Sequence, residues 1–396
     1  MPVPTPFHSR TSKLCTSLLW KDWAGYHAVR SYGTCHEPEY FAIRHAAGLI
    51  DVTPLFKYEV KGPDAARFLS TVTVRDIEKL KVGRVTYLCW CDDDGKVVDD
   101  GTVSRLSEEH FRLTAAEPSI SWLAPLTARY QVTIEDSSER LGALALQGPR
   151  SREILQEVAA DDLSELKFFG LTETSVAGTP VWITRTGYTG DLGYEIWVEA
   201  AGAEAVYDAL IETGRSYGML PAGLDAMDVT RVEAGFIMNG VDYFSAHHCL
   251  TEERKASPYE LGLGWTVKLD RGPFIGSAAL AREKREGSPR SFVGLEIDWD
   301  EIEAVFASYG LPPEIPSSAW RDGRPVYDPE GAWIGQATSG AWSPTLKKNL
   351  VLAQIVAPFA EPGTEVSCEL TAEYRRHRVR ATVAKTPFFN PPRKRE

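Results

Sequence analysis

The sequence predicts an α+β protein that ends in a barrel-like β module. A chain of 396 residues is long for one hydrophobic core and suggests two or three domains. Strand and helix patterns alternate as far as Gly235. From about Trp265 onward, short strand patterns are separated mainly by Gly and Pro turns. Mixed units followed by an all-β tail are typical of α+β domains joined to a sandwich or barrel.

The elements before residue 140 are predicted from local signals. The first fifty residues are aromatic-rich and irregular, and a helix is expected over Ser31–Asp51, with Glu39–Ile50 as its body. Pro63 and Asp64 open a second helix, which runs to Leu69. A hairpin turn is expected at residues 92–95, because Asp bonds to local backbone and Gly95 supplies a positive φ. Strands are predicted over 58–60, 85–90, 96–105 and 111–114, and a helix over 119–129.

The elements after residue 140 follow the same kinds of signal. An apolar strand covers Leu141–Gln147, and Pro149 begins a helix that ends at Val158. Two strands, 181–185 and 194–199, flank a glycine-rich loop. Helices are predicted over 202–217 and 224–235, and a second loop over 311–316.

Composition excludes several classes of protein. A net charge of -12 argues against a general binder of nucleic acid or anionic membranes. The six cysteines form no CxxC pair, which indicates reduced thiols and a cytoplasmic location. Cys89 and Cys91 share one strand face but have no further ligands nearby, so no metal site is predicted. No window approaches the ~20 apolar residues of a membrane span, and the start of the chain lacks a signal-peptide pattern.

The most informative segment is the glycine-rich loop within Thr184–Val198. It contains Gly187, Gly190 and Gly193 and is followed by Glu195. Glycines at this spacing let the backbone turn tightly and approach a ligand closely. The simpler interpretation is a hairpin turn with a solvated glutamate, and spacing alone does not separate the two.

This loop, Arg-Thr-Gly-Tyr-Thr-Gly-Asp-Leu-Gly-Tyr-Glu-Ile, resembles the signature loop of the glycine-cleavage T-protein (aminomethyltransferase) family. Further matches follow in order at residues 231–235, 264–266, 338–348 and 385–388. The resemblance implies three domains in a cloverleaf around a central folate channel. Residues 1–56 and 141–256 would form a discontinuous folate-binding domain 1. Residues 57–140 would form an inserted α+β domain 2, and residues 257–396 a C-terminal β-barrel domain 3.

The resemblance also assigns the two carboxylates with chemical roles. Glu195 would bind the pterin of tetrahydrofolate, since a carboxylate accepts both donors of the amino and ring N–H fork. The family's catalytic aspartate matches Asp100, which would orient the substrate cation and stabilise developing positive charge. Adjacent strand residues point to opposite faces, so Asp99 is expected to be structural.

Aromatic and histidine side chains complete the predicted site. Tyr87, Leu55 and Trp265 match the positions where the family packs the folate rings, although each could be ordinary core. Tyr188 and Tyr194 flank the signature loop; Tyr188 is predicted to contact folate and Tyr194 the substrate. An inserted segment over 244–257 carries His247 and His248. One interpretation is a loop that shapes the substrate site through contacts from these histidines, and the other is a surface loop without a role.

Three departures distinguish the chain from the aminomethyltransferases of the family. Met227 and Phe292 stand where those enzymes have arginine, and Ala116 stands where they have a folate-contacting asparagine. The loss of fixed cations argues against docking of the lipoyl carrier protein. The tetrahydrofolate-dependent dimethylsulfoniopropionate demethylase shares these departures and resembles the chain at 5–10, 82–87 and 165–170.

The prediction is therefore a tetrahydrofolate-dependent methyltransferase. It would demethylate a small S-, N- or O-methyl donor and give 5-methyltetrahydrofolate, with neither nucleic acid nor membrane as a partner. One alternative is an aminomethyltransferase that makes 5,10-methylenetetrahydrofolate. The other is a non-enzymatic folate-binding assembly factor, whose characteristic cysteine motif is missing from residues 257–265.

Overall fold

The computed structural model describes residues 1–396, which form nine α-helices and nineteen strands. The helices are α1 His8–Leu14, α2 Glu37–His45, α3 Ala65–Val72, α4 Ile120–Leu126, α5 Ser151–Val158, α6 Ala203–Arg215, α7 Leu224–Glu233, α8 Ser277–Glu286 and α9 Trp299–Ala307. The strands of the first half are β1 Leu19–Trp23, β2 Tyr26–Ser31, β3 Gly48–Asp51, β4 Phe56–Lys61, β5 Arg84–Cys91, β6 Val97–Ser107, β7 His110–Ala115, β8 Thr133–Asp136, β9 Leu141–Gln147, β10 Leu171–Val176 and β11 Thr179–Thr184. The remainder are β12 Gly193–Glu199, β13 Leu220–Pro221, β14 Arg290–Ile297, β15 Arg324–Tyr327, β16 Trp333–Ser343, β17 Lys348–Val356, β18 Glu365–Ala372 and β19 Arg375–Ala384.

The first sheet has six strands in the order β10-β11-β12-β9-β3-β13. One face packs against α5 and α6 in a core that includes Leu146 and Ile196. The other face packs against α2 and α7, through residues such as Ala145 and Val229. Both faces are thus covered, which explains why β9 is buried at all seven positions.

The second sheet has five strands in the order β5-β6-β7-β4-β8 and packs against α3 and α4. All five strands lie in sequence between β3 and β9, which pair with each other in the first sheet. Residues 261–280 also pack on strands of the second sheet, since Leu261 and Phe274 share a core cluster with Cys89 and Val97. The domain boundaries at 57, 141 and 257 stay a prediction.

The third unit is a closed barrel in the order β14-β17-β16-β15-β18-β19, and β19 returns to pair with β14. The predicted fold class, α+β with a C-terminal β-barrel, is confirmed. Two helices of the last third, α8 and α9, were not expected from the strand-rich pattern. No helix is long and apolar enough to cross a membrane.

The prediction of one helix over Ser31–Asp51 is wrong. Helix α2 stops at His45, and Gly48–Asp51 forms strand β3, which lies between β9 and the edge strand β13 of the first sheet. A short apolar run fits a buried strand as well as a helix, so periodicity could not separate the two. Gly48 allows the tight turn: a Cβ there would lie 2.5 Å from Cγ1 of Ile43. The first fifty residues also contain α1 and the β1–β2 hairpin, which had been expected to be irregular.

Candidate active site

Asp100 lies on β6, and two phenols hold its carboxylate. The Tyr87 hydroxyl on β5 donates to Oδ2 at 2.6 Å, and the Tyr243 hydroxyl donates to Oδ1. Burial raises the pKa of Asp100, and the two phenol hydrogen bonds oppose that rise. Each oxygen therefore has one fixed donor, and the orientation of the carboxylate is set by the protein.

Asp99 supports the backbone around this carboxylate. Its Oδ2 accepts from the backbone N–H groups of Ala116 and Glu117, both at 2.9 Å. Its Oδ1 accepts from Asn239 Nδ2 and from the Asp100 N–H, also at 2.9 Å. Burial and then the neighbouring Asp100 carboxylate raise the pKa of Asp99 to about 7. Four N–H donors on one buried side chain are what a structural role requires.

Tyr243 is the site residue that the sequence did not reveal. It is only 2% exposed, and its hydroxyl lies 3.4 Å from Asp99 Oδ1 as well as against Asp100. Burial raises the pKa of Tyr243 well above its usual value, so the phenol stays protonated and donates at neutral pH. The one available signal was its position directly before the inserted segment 244–257.

Of the two carboxylate oxygens of Glu195, one accepts hydrogen bonds from the chain and the other does not. Strand β12 pairs with β11 and β9, which sets Glu195 opposite Thr184 and Ala145. Oε2 accepts from the hydroxyls of Thr186 at 2.6 Å and Thr184 at 3.3 Å, whereas Oε1 receives no hydrogen bond from the chain. Burial raises the pKa of Glu195. An acceptor left open in a half-buried site suits a ligand with N–H donors.

Some of the aromatic side chains predicted from the resemblance lie together near Asp100. Tyr87 stacks on Trp265 with ring centroids 6.2 Å apart, and Trp265 is 56% exposed. Tyr188 donates to the Ile237 carbonyl. Burial raises the pKa of its phenol and is the largest effect, while the charge of Arg231 lowers that pKa and the charge of Asp100 raises it. Tyr87, Tyr188 and Trp265 thus lie in or beside the same region. Leu55 is half-buried, and its carbonyl accepts from buried Lys57 Nζ at 2.8 Å.

The structure does not bring Tyr194 to this site. Its side chain is fully buried in the core under α5 and α6, and its hydroxyl accepts from Arg152 Nε at 3.0 Å. Because consecutive strand residues face opposite sides, Tyr194 points away from the face that Glu195 occupies. We therefore leave Tyr194 out of the proposed site.

The inserted segment runs over the outside of the second sheet. Its two ends bond to Val97, through Ala246 N and Ala256 O, each at 2.8 Å. His247 packs against the Trp122 ring at 5.6 Å, and His248 Nε2 lies 3.4 Å from Glu117 Oε2. Neither histidine contacts Asp100, so the predicted substrate role has no support from their positions.

The three departures differ in what they do in the structure. Met227 lies on α7 and is buried in the core between this helix and the first sheet, and Phe292 packs against two hydrophobic clusters. Ala116 contributes only a backbone N–H, to Asp99. None supplies a charge or an amide side chain.

Comparison with known proteins gives the class. An aminomethyltransferase of Herpetosiphon aurantiacus is 37% identical over 355 residues, covering 89% of each chain. One of Symbiobacterium thermophilum is 36% identical and covers 99% of this chain and 98% of the relative. The crystal structure of glycine cleavage system aminomethyltransferase T from Bartonella henselae superposes with a TM-score of 0.83 at 26% identity, over 98% of this chain and 99% of that one. Fold, site and relatives together indicate a tetrahydrofolate-dependent one-carbon transferase.

Two family models give the narrower assignment. The GCVT N-terminal domain matches residues 8–271, and the glycine cleavage T-protein C-terminal barrel domain matches residues 290–390. The chain belongs to the glycine cleavage T-protein family, and this family uses tetrahydrofolate. The resemblance to the family and the folate prediction are confirmed. The demethylase branch gains no support, and the relatives favour the aminomethyltransferase alternative over the methyl transfer that was predicted first.

Proposed function

We propose that this chain transfers the carbon of a carrier-bound aminomethyl group to tetrahydrofolate. The carbon–nitrogen and carbon–sulfur bonds of the donor break and two bonds to folate nitrogens form, which gives 5,10-methylenetetrahydrofolate, ammonia and the free carrier thiol. The observation that carries the proposal is Asp100: a half-buried carboxylate with both oxygens fixed by phenols. Aminomethyltransferases of similar sequence cover nearly the whole chain and support the choice of reaction.

Asp100 would act through its charge and its fixed direction. An amine donor carries or develops positive charge as the carbon–nitrogen bond breaks, and a carboxylate held in place and partly shielded from water stabilises that charge more strongly than water does. Tyr87 and Tyr243 keep the carboxylate from rotating, so no reorganisation is needed during the reaction. Burial raises the pKa of both phenols well above the usual value, so neither competes for the negative charge.

The residues present fit tetrahydrofolate. Glu195 Oε1 is an open acceptor for the donor fork of a pterin, and Tyr87 and exposed Trp265 offer an aromatic wall. When bound, tetrahydrofolate supplies the nitrogen atoms that accept the transferred carbon. Glu195 would fix the ring, and Asp100 would hold the donor against it, so that the reacting atoms are already in line.

A second candidate is methyl transfer from a small S-, N- or O-methyl donor to give 5-methyltetrahydrofolate. It is favoured by Met227, Phe292 and Ala116, which replace two cations and an amide of the aminomethyltransferases. This reaction needs no carrier protein, whereas the first candidate requires a lipoyl carrier that presents the aminomethyl group.

The test compares both donors in one assay. Purified protein and tetrahydrofolate are incubated with aminomethyl-loaded lipoyl carrier protein, or with a panel of sulfonium, quaternary-amine and methoxy-aromatic compounds. Mass spectrometry identifies the folate product, ammonia release is measured in parallel, and Asp100→Asn is the control.

Ammonia and methylenetetrahydrofolate from the carrier, lost in Asp100→Asn, would support the first candidate. 5-Methyltetrahydrofolate from a small donor would establish the second in its place. Folate binding with no product from any donor would overturn both and leave the non-enzymatic alternative.

A further inference from the structure

Arg75 is a guanidinium that the chain leaves without a carboxylate or hydrogen-bond partner. It follows α3, it is half-buried, and its side chain takes part in none of the ion pairs or hydrogen bonds of the structure. Burial lowers the pKa of Arg75, and no neighbouring carboxylate opposes that effect. The adjacent Asp76 is engaged by Lys79 at 2.7 Å instead. A half-buried guanidinium with no carboxylate partner in the chain is available to an anionic group from outside it.

The position of Arg75 connects it to the candidate active site. Its guanidinium carbon lies 5.5 Å from the centroid of the Trp265 ring, which is 56% exposed. Trp265 stacks on Tyr87, and the Tyr87 hydroxyl holds Asp100. A backbone hydrogen bond of 3.0 Å from Lys268 N to Val74 O fixes the segment that carries Trp265 beside the one that carries Arg75. Asp100, two aromatic rings and a free guanidinium thus follow one another by direct contact.

We infer that Arg75 and Trp265 form a subsite for a carboxylate attached to a ligand that lies along this aromatic wall. This inference rests on the proposed function. A planar guanidinium accommodates a carboxylate in a two-pronged hydrogen bond, and the indole face beside it supports the apolar part of the same ligand. No other assigned residue of the site supplies a free cation for this purpose.

The carboxylate can come from the glutamyl tail of tetrahydrofolate or from the one-carbon donor. The tail is the better match, because two stacked rings separate Arg75 from Asp100 while the transferred carbon must lie at Asp100. A small donor held at Asp100 does not span that separation.

The test measures equilibrium binding by calorimetry and so does not depend on turnover. Tetrahydrofolate is compared with 6-methyltetrahydropterin, which has the same ring but no benzoylglutamate. The variants are Arg75→Gln, Arg75→Lys and the matched control Arg375→Gln, an exposed arginine of β19 that makes no ion pair.

We expect Arg75→Gln to weaken tetrahydrofolate binding about tenfold, the effect of a partly exposed charge-assisted hydrogen bond. Pterin binding should be unchanged, Arg75→Lys should lose less, and the control should match the wild type. The difference between wild type and Arg75→Gln should shrink as salt is raised.

The donor arm compares glycine betaine with choline, which differ in the carboxylate, in the presence of tetrahydrofolate. Loss of betaine binding alone in Arg75→Gln would assign the carboxylate to the donor. Equal binding of every probe by wild type and Arg75→Gln would overturn the subsite. A wild-type protein that fails to bind tetrahydrofolate would instead overturn the proposed function on which the subsite rests.

Discussion

Replacing Tyr243 by phenylalanine removes one of the two phenols that hold Asp100. The variant keeps the buried ring and loses only the hydroxyl, which donates to Asp100 Oδ1 and lies 3.4 Å from Asp99 Oδ1. Asp100 would then keep Tyr87 as its one remaining side-chain donor. Because a hydrogen bond to a carboxylate favours the charged form, its loss raises the pKa of Asp100.

The size of this effect can be worked out. A charge-assisted hydrogen bond to a buried carboxylate contributes about 1.5–3 kcal/mol, and one pKa unit corresponds to about 1.36 kcal/mol. We therefore expect the pKa of Asp100 to rise by about one to two units in Tyr243→Phe. Activity that needs ionised Asp100 is present above that pKa and lost below it. The acid limb of the pH profile should move to higher pH by the same amount.

The assay is the pH dependence of kcat for the one-carbon transfer, with tetrahydrofolate at saturation. Tyr309→Phe is the matched control, since its hydroxyl bonds to His377 at 3.0 Å in the barrel unit. Binding of tetrahydrofolate should be little changed, because Glu195 is untouched. An acid limb that stays in place while the whole profile falls would refute the assigned role of Tyr243 and would indicate general damage to the site.

The remaining predictions concern binding and stability. Glu195→Gln should weaken tetrahydrofolate binding by about one to two orders of magnitude in calorimetry, since a charged acceptor becomes neutral; unchanged affinity would remove Glu195 from the site. Burial by itself raises the pKa of Glu59, but His110 and Arg112 hold it at about 2, below the ordinary 4.5. The lowered pKa stabilises the folded state by about 3 kcal/mol, and this stabilisation is present above pH 4.5 and lost toward pH 2. Urea unfolding should therefore show that Glu59→Gln is much less stable than the wild type at pH 7 and nearly as stable at pH 2. A Cβ on Gly101 would lie 1.9 Å from the Thr114 carbonyl oxygen, so Gly101→Ala should destabilise by about 1–3 kcal/mol in thermal unfolding, whereas Gly272→Ala, with open space, should be near neutral.

Local chemistry made part of the fold predictable. The Asp92–Gly95 turn forms as expected: Asp92 Oδ1 accepts from Lys96 N at 2.8 Å, and Gly95 has a φ of +73°. Strand β3 could not be predicted, because the pairing that makes Gly48–Asp51 a strand comes from β9 and β13, far along the chain. Tertiary pairing decides short apolar segments of this kind.

The candidate site shows the same division. Resemblance found Asp100, Glu195 and their aromatic neighbours, but the partner of Asp100 at Tyr243 lies 143 residues away in sequence. Only the folded chain shows that contact. Tyr194, by contrast, could have been excluded beforehand, because alternation along β12 puts it on the opposite face from Glu195.

The nesting of the second sheet inside the first has a consequence for synthesis on the ribosome. Strand β3 emerges early but must wait for β9 before it has its central partner. In sequence, β4 and β8 are the first and last strands of the second sheet, and they pair with each other. Folding of this sheet therefore brings the two ends of its chain segment together. Folding of the second sheet therefore brings β3 close to β9, where Asp51 pairs with Leu144. The entropy cost of closing the long loop between these two strands is then already offset by the second sheet. The second sheet can therefore promote pairing of β3 with β9 in the first sheet before the barrel has been synthesised.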